Sequence, residues 1–272
     1  MKLRALFNKL FAAKKTATPD IAAPAPAKKI YIRFSTHEDQ EKLFAFYDLN
    51  SHKNVVRRET DLISRMIDDG NVIQVEDEDG KLYGASLSYP YFIKNEYGQK
   101  EVKWQEIGTT RMVLNGYPGM IDAIVAMQVM RTYLVEPPSS RFVCHVITDP
   151  VQKMCHRLGF RSYDVPDEML AAKAEMLGTT STAGQIGNWF QCGMEAMPVL
   201  ARHMINVMDN PVISHVKTGE RIELDFSRSN FFKHFSPEIR GLGQKDLGNV
   251  DQPDLTRGVK ENQKKWMYNF FR

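Results

Sequence analysis

The stretch MIDAIVAMQVMRTYLVE, at residues 120–136, constrains most what this chain can fold into. Its apolar residues cover nearly the whole circumference of a helix, so such a helix must be buried on most sides. It follows the long strand pattern VKWQEIGTTRMVL (102–114) and precedes RFVCHVITD (141–149), a strand pattern apolar on both faces. A buried helix between two apolar strands is typical of a crossover packed against a sheet.

The segments around this crossover predict further strands and helices in a fixed order. KIYIRF (29–34) alternates as a strand does, and residues 35–50 and 57–70 carry apolar side chains at helical spacing. Residues 71–92 hold two apolar runs around an Asp-Gly turn, which predicts a hairpin. The order β-α-α-β-β-β-loop-α-β-α-β over residues 30–164 predicts an α/β fold, a mixed sheet with helices on both faces.

Cysteine and histidine usage argues against metal sites and disulfide frameworks. The chain has three cysteines and no CxxC pair, and its seven histidines form no HxxxH or HExxH pair. We therefore expect no metal, and a reducing compartment such as the cytoplasm. No apolar run approaches the roughly 18–20 residues that a membrane span needs.

The net charge of +3 comes from the two ends of the chain. Residues 1–29 carry seven basic residues and one acidic residue, and residues 257–272 carry five and one. The part between them is therefore net acidic. A protein that binds nucleic acid usually shows the reverse distribution, so we expect no nucleic-acid partner.

The chain divides into three predicted parts. Residues 1–28 are a leader and an Ala/Pro-rich linker, in which residues 2–15 form a basic amphipathic helix or a disordered start. Such a helix would bind an anionic membrane surface or a protein partner. Residues 29–168 form the α/β domain, and residues 169–272 form an extension.

The extension is predicted to contain helices and a hairpin. We expect a helix at 165–178 and an apolar helix over NWFQCGMEAMPVLARHMINVM (188–208), kinked or split at Pro198. VISHVKTGERIELDF (212–226) predicts a hairpin. The closing run KKWMYNFFR (264–272) is either a late strand or a binding peptide.

Two joints of the chain carry a family resemblance. In VLNGYPGM (113–120) a strand passes through a glycine loop into the apolar helix, and in TDPVQKMCHRLGF (148–160) a short helix ends in Leu-Gly-Phe before the next strand. Together they resemble the GNAT superfamily of N-acyltransferases over residues 30–164. The resemblance implies the predicted mixed sheet and acyl transfer from acyl-CoA, either acetyl-CoA or a longer acyl chain.

In that family the glycine loop and the following helix start hold the cofactor pyrophosphate. Unpaired amide groups and the helix dipole attract anionic oxygens, and glycines let the backbone come close. The resemblance assigns this role to Val113, Leu114, Asn115, Gly116, Gly119, Met120 and Ile121. The match to the family's loop is poor, and Pro118 removes one amide donor.

The resemblance also implies catalytic positions. Glu106 lies on the long strand where the family often carries a general base, and its alternative is a solvent-facing strand residue. Cys155 takes the place where the family's tyrosine acid is found; its alternative is a buried core residue. His145 could act as base or acid, or could be a hydrogen-bonded core histidine.

The predicted function is acyl transfer from acyl-CoA to an amine of a small molecule or protein. One alternative is a GNAT-like module that has lost catalysis and serves binding or assembly. Another is an acyltransferase at the membrane surface that uses long-chain acyl carriers. The predicted location is cytoplasmic, with peripheral membrane association if residues 2–15 bind lipid.

Overall fold

The computed structural model describes residues 26–50, 59–135, 141–177 and 187–244. The predicted amphipathic helix at residues 2–15, most of the linker and the closing run at 264–272 lie outside these ranges.

Strands and helices alternate through the described residues. The strands are β1 (Lys28–Phe34), β2 (Val72–Glu76), β3 (Leu82–Lys94), β4 (Lys100–Met112), β5 (Arg141–Val146), β6 (Arg161–Ser162), β7 (Asn188–Cys192), β8 (Val212–Ser214) and β9 (Arg221–Asp225). The α-helices are α1 (Gln40–Leu49), α2 (Thr60–Asp68), α3 (Met120–Val135), α4 (Asp149–Arg157), α5 (Asp167–Leu177), α6 (Met197–Asp209) and α7 (Asn230–Gly243). Short 3₁₀ turns at His37–Asp39 and Met194–Ala196 precede α1 and α6.

All these strands belong to one mixed sheet, in the order β6-β7-β5-β4-β3-β2-β1-β9-β8. Strands β1 to β4 pair antiparallel with their chain neighbours, whereas β4 with β5 and β1 with β9 pair parallel. Three strands from beyond residue 168 join the sheet, with β7 beside β5 and β9 beside β1. The division at residue 168 stays a prediction.

Helices cover both faces of the sheet, as the sequence predicts. One apolar core packs α3, α4, α6 and α7 against a face that includes Phe142 and Cys144. The other packs α1, α2 and α5 against the opposite face, which includes Val143. Helix α3 is buried nearly all round because α6 as well as the sheet packs against it. No helix in the described ranges is long and apolar enough to cross a membrane.

The predicted apolar helix at 188–208 is wrong in its first part. Residues Asn188–Cys192 form β7, in which Phe190 and Cys192 alternate with more exposed residues and pair with β5. Helix α6 begins only at Met197, with Pro198 in its first turn. A proline there does not kink the helix, since the first-turn amide has no partner within the helix. Helix α7, which holds Pro237, was not predicted.

Candidate active site

Strands β4 and β5 form a fork. They pair only at Trp104, Gln105 and Glu106, opposite Arg141, Phe142 and Val143. Beyond Glu106 no β5 partner is found for β4 up to Met112, while β5 continues to pair with β7 on its other side. The fork therefore leaves one edge of β4 without a strand neighbour, directly after Glu106.

A bulge in β4 accompanies the separation. The register between β3 and β4 shifts opposite Gly108, and Thr109 has a φ of 49°. The side chains of Tyr47 and Tyr89 hold this residue, since Tyr47 Oη donates to the Thr109 carbonyl at 2.9 Å and Tyr89 Oη bonds Thr109 Oγ1. A non-glycine residue in this conformation costs on the order of 1–3 kcal/mol, so the surrounding contacts must stabilise it.

Glu106 is buried at the apex of the fork, with 6% of its surface exposed. Lys173 Nζ, from α5, donates to Glu106 Oε1 at 3.0 Å and to Oε2 at 2.7 Å, and Tyr91 Oη also donates to Oε2. Gly108 makes room for the carboxylate, because an added Cβ there would lie 3.3 Å from Oε1. We call Glu106, Lys173, Tyr91, His145 and Trp189 the fork cluster.

His145 belongs to the fork cluster and is held in its neutral form. Its ring stacks on Trp189 with centroids 4.8 Å apart, and its buried Nε2 has no hydrogen-bond partner. Burial lowers the pKa of His145, and the Lys173 ammonium lowers it further against the opposing effect of Glu106. A neutral imidazole can accept a proton. The structure thus brings Glu106 and His145, two of the three predicted catalytic residues, to one face of the sheet.

Cys155 lies on the other face. Its Sγ is 3.5 Å from Cys144 Sγ in the core beneath α4, and both thiols are buried. The hydrogen bond with Cys155 and burial raise the pKa of Cys144 well above its usual value. The helix stop predicted after Cys155 is present, since Gly159 has a φ of 86° and Phe160 N donates to the Cys155 carbonyl at 2.9 Å. The structure does not bring Cys155 together with Glu106.

The glycine loop joins β4 to α3, and the turn between β8 and β9 packs on it. Val216 N donates to the Gly116 carbonyl at 2.9 Å, and the rings of Tyr117 and His215 meet edge to face. A Cβ added to Gly116 would lie 2.4 Å from His215 Nε2, so this contact requires a residue without a side chain. Gly119 differs, because nothing lies within 4 Å of an added Cβ there.

The start of α3 contains a buried carboxylate. Asp122 is 5% exposed and accepts hydrogen bonds from Arg157 at the end of α4, of which the Nε bond is 2.9 Å long. Of the other predicted cofactor contacts, Val113, Leu114 and Asn115 precede the loop's first glycine, whereas Met120 is buried and Ile121 half-buried in the first turn. Arg157 offsets the charge of Asp122, which would otherwise repel an anion at this helix start.

Sequence reasoning missed Lys173, Tyr91 and Trp189. Lys173 had one usable signal, since it stands four residues after Met169, which is fully buried in the same helix. Residues four apart share a helix face, so this lysine points toward the sheet. No group of three or more His, Cys, Asp or Glu side chains able to hold a metal occurs in the described part of the chain.

Comparisons of the whole chain with known proteins find likeness only at the level of structure. No family model and no curated protein matches the sequence. The structure is similar to Rv2747 from Mycobacterium tuberculosis in complex with CoA (16% identity, TM-score 0.43), covering 60% of this chain and 98% of that one. The loading GNATL domain of CurA from Lyngbya majuscula matches with 14% identity and a TM-score of 0.43, covering 60% and 97%.

A third similar structure is the GNAT family N-acetyltransferase YhbS from Escherichia coli in complex with CoA. It shares 16% identity with a TM-score of 0.42, covering 64% of this chain and 87% of that one. Two of the three are named as GNAT proteins. At this identity no substrate and no residue role passes from them to this chain.

Proposed function

We propose that this protein is an N-acyltransferase that takes an acyl group from acyl-CoA and places it on an amine. The observation that carries the proposal is the fork between β4 and β5 with the buried carboxylate of Glu106 at its apex. An extended thioester arm needs a slot of this kind, and an attacking amine needs a base beside the slot.

The edge of β4 that faces away from β3 supports binding of the extended arm of acyl-CoA. Beyond Glu106 this edge has no β5 partner, and apart from Thr109, whose carbonyl accepts from Tyr47, its backbone groups can pair with the amides of the arm, as an added strand would. The cofactor phosphates would lie at the start of α3 beside Gly119, where the first amide groups of a helix have no partner within the helix and nothing lies within 4 Å of an added Cβ.

The proposed reaction is direct attack of the amine on the thioester. Glu106 takes a proton from the amine, the amine nitrogen bonds the carbonyl carbon, and the carbon–sulfur bond breaks. The leaving thiolate then takes up a proton from water, and Glu106 gives its proton back to solvent. Of the two acids predicted from the sequence, Cys155 lies on the other face of the sheet, and His145 lies on the Glu106 face but is neutral and therefore not ready to protonate the thiolate.

Binding and turnover test this proposal together. We expect CoA and acetyl-CoA to raise the melting temperature of the full chain. At a ligand concentration one hundred times Kd, the free energy of unfolding should rise by about 2.7 kcal/mol. We expect Glu106→Gln to lower kcat by about 10²–10⁴-fold in a coupled assay of thiol release with a panel of amines. Glu101→Gln, at an exposed position of the same strand, is the matched control and keeps full activity. If the protein is folded and CoA does not change its melting temperature, the proposal is wrong.

A second candidate function is a GNAT-like binding module without catalysis. Two contacts favour it: Lys173 already neutralises Glu106, and His215 covers Gly116 in the glycine loop. This candidate predicts that CoA binds weakly or not at all and that Glu106→Gln changes no turnover.

A further inference from the structure

Lys173 projects from α5 into the fork cluster. Met169 and Ala172 of this helix pack into the apolar core that α1, α2 and α5 form with the sheet. Lys173 is the next residue, and 17% of its side chain is exposed. Lysine is seldom buried to this degree unless it is paired. Its position therefore calls for a specific partner.

That partner is the proposed base. Lys173 Nζ lies 2.7 Å and 3.0 Å from the two carboxylate oxygens of Glu106, and 4.6 Å from the centre of the Trp189 ring. A primary amine thus stands within hydrogen-bond reach of the carboxylate that would deprotonate an acceptor. The acceptor position of the proposed reaction is filled by an amine of this same chain.

We infer that Lys173 is a site of self-acylation, and that the first acyl group from bound acyl-CoA is transferred to its Nζ. This inference rests on the proposed function. Glu106 takes one proton from the Lys173 ammonium, and the freed nitrogen attacks the thioester carbonyl. A carbon–nitrogen bond forms, the nitrogen gives up its second proton to solvent, the carbon–sulfur bond breaks, and the thiolate leaves and takes a proton from solvent. The products are an amide on Lys173 and free CoA, with no oxidant or reductant needed.

Acylation changes the fork cluster because an amide carries no charge. The ion pair with Glu106 and the cation–π contact with Trp189 are both lost when Lys173 is acylated. Glu106 is then released to accept a proton from an external amine. Self-acylation would therefore act as a priming step that removes the ion pair from Glu106.

The experiment incubates the purified full chain with acetyl-CoA and follows acetylation by intact mass and by peptide mapping. Lys103 on β4 is the matched control. It also pairs with a carboxylate of α5, because its Nζ lies 2.9 Å from Glu168, but both of these side chains are exposed. We expect one acetyl group per chain at Lys173, formed about 10²-fold faster than in Glu106→Gln. Lys103 should react slowly and equally in both proteins, and excess CoA should suppress acetylation at Lys173 alone. The CoA competition applies to the unmutated chain, so the test holds even if Glu106→Gln fails to fold.

The outcomes separate this inference from the proposed function. If CoA raises the melting temperature and external amines are acylated while Lys173 stays unmodified, the inference is wrong and the proposed function stands. If Lys173 and Lys103 react alike, and CoA protects neither, the modification is uncatalysed and the inference is again wrong. If CoA does not bind the folded chain, both fail.

Discussion

Burial determines the protonation state of His145 in the fork cluster. His145 is neutral because its ring is packed on Trp189 beside a lysine ammonium, and its Nε2 has no hydrogen-bond partner. Glu106 is more deeply buried than His145 and receives three donated hydrogen bonds from Lys173 and Tyr91. A desolvated imidazole and a hydrogen-bonded carboxylate thus lie on one face of the sheet.

The lowered pKa of His145 predicts a pH-dependent stability. Since the unfolded chain binds this proton near pH 6.5 and the folded chain only at lower pH, the stabilisation is present above about pH 6.5. It is lost as the pH falls from there through the folded-state pKa. We expect His145→Phe, which keeps the ring stacking, to reduce this loss by up to about 1.4 kcal/mol per pH unit.

Urea unfolding at a series of pH values from 7.5 to 5 measures this effect. His203, whose pKa is also lowered by burial, still titrates in the variant, so part of the slope remains. Identical slopes for the variant and the unmutated chain would show that His145 titrates alike in both states.

At the scale of elements, the hairpin of β8 and β9 sets the conformation of the glycine loop. Gly116 and Gly119 both have positive φ, of 82° and 86°, yet an added Cβ would clash with another element at Gly116 and would meet nothing within 4 Å at Gly119. His215 is itself fixed, because its Nδ1 accepts a hydrogen bond from Thr218 N at 3.0 Å. The loop therefore has one glycine that packs against the hairpin and one beside which an added Cβ would find open space.

We expect Gly116→Ala to lower the free energy of unfolding by more than the cost of placing alanine at a positive φ. The positive φ costs about 1 kcal/mol for alanine, and the clash with His215 adds at least a similar amount. Gly80→Ala is the matched control, since Gly80 has a φ of 78° and nothing within 4 Å of an added Cβ.

Thermal or urea unfolding of the two variants gives the excess for Gly116→Ala. Adding His215→Ala to Gly116→Ala should remove the excess, as a double-mutant cycle would show. Equal losses for Gly116→Ala and Gly80→Ala would contradict the packing of His215 on the loop.

At the scale of the whole molecule, segments from beyond residue 168 complete both ends of the sheet. Strand β7 lies between β5 and β6, and β9 extends the sheet beyond β1. Helix α6 crosses between these ends and packs on α3, while α7 packs on α6. The extension and the crossover thus share one apolar core.

This shared core predicts that the α/β domain and the described part of the extension unfold as one unit. Leu200 in α6 is fully buried, and we expect Leu200→Ala to lower the free energy of unfolding by about 2–5 kcal/mol. Trp104 and Trp189 report on the opposite face, so tryptophan fluorescence and far-UV circular dichroism should shift together.

Met194→Ala is the control for this experiment, since Met194 is 51% exposed and its loss should change the stability by less than about 0.5 kcal/mol. Separate transitions by fluorescence and circular dichroism in Leu200→Ala would support an extension that folds independently.

The sequence by itself determined the order of elements over residues 30–164 and the mixed sheet. Hydrophobic periodicity and turn residues are local signals, and here each agrees with the element formed, from the Asp-Gly hairpin to the Leu-Gly-Phe helix stop. The same signals failed at Asn188–Cys192, because a short apolar run fits a helix or a strand until its pairing partner is known.

Only the tertiary structure decided the surroundings of the candidate site. Glu106 was predicted from its strand, but its pairing with Lys173 joins residues 67 positions apart, and no local pattern encodes such a contact. The tertiary structure likewise placed Cys155 on the other face from Glu106 and put His215 over Gly116. Local spacing specifies which side of its own element a residue occupies, whereas the packing of elements specifies what faces it.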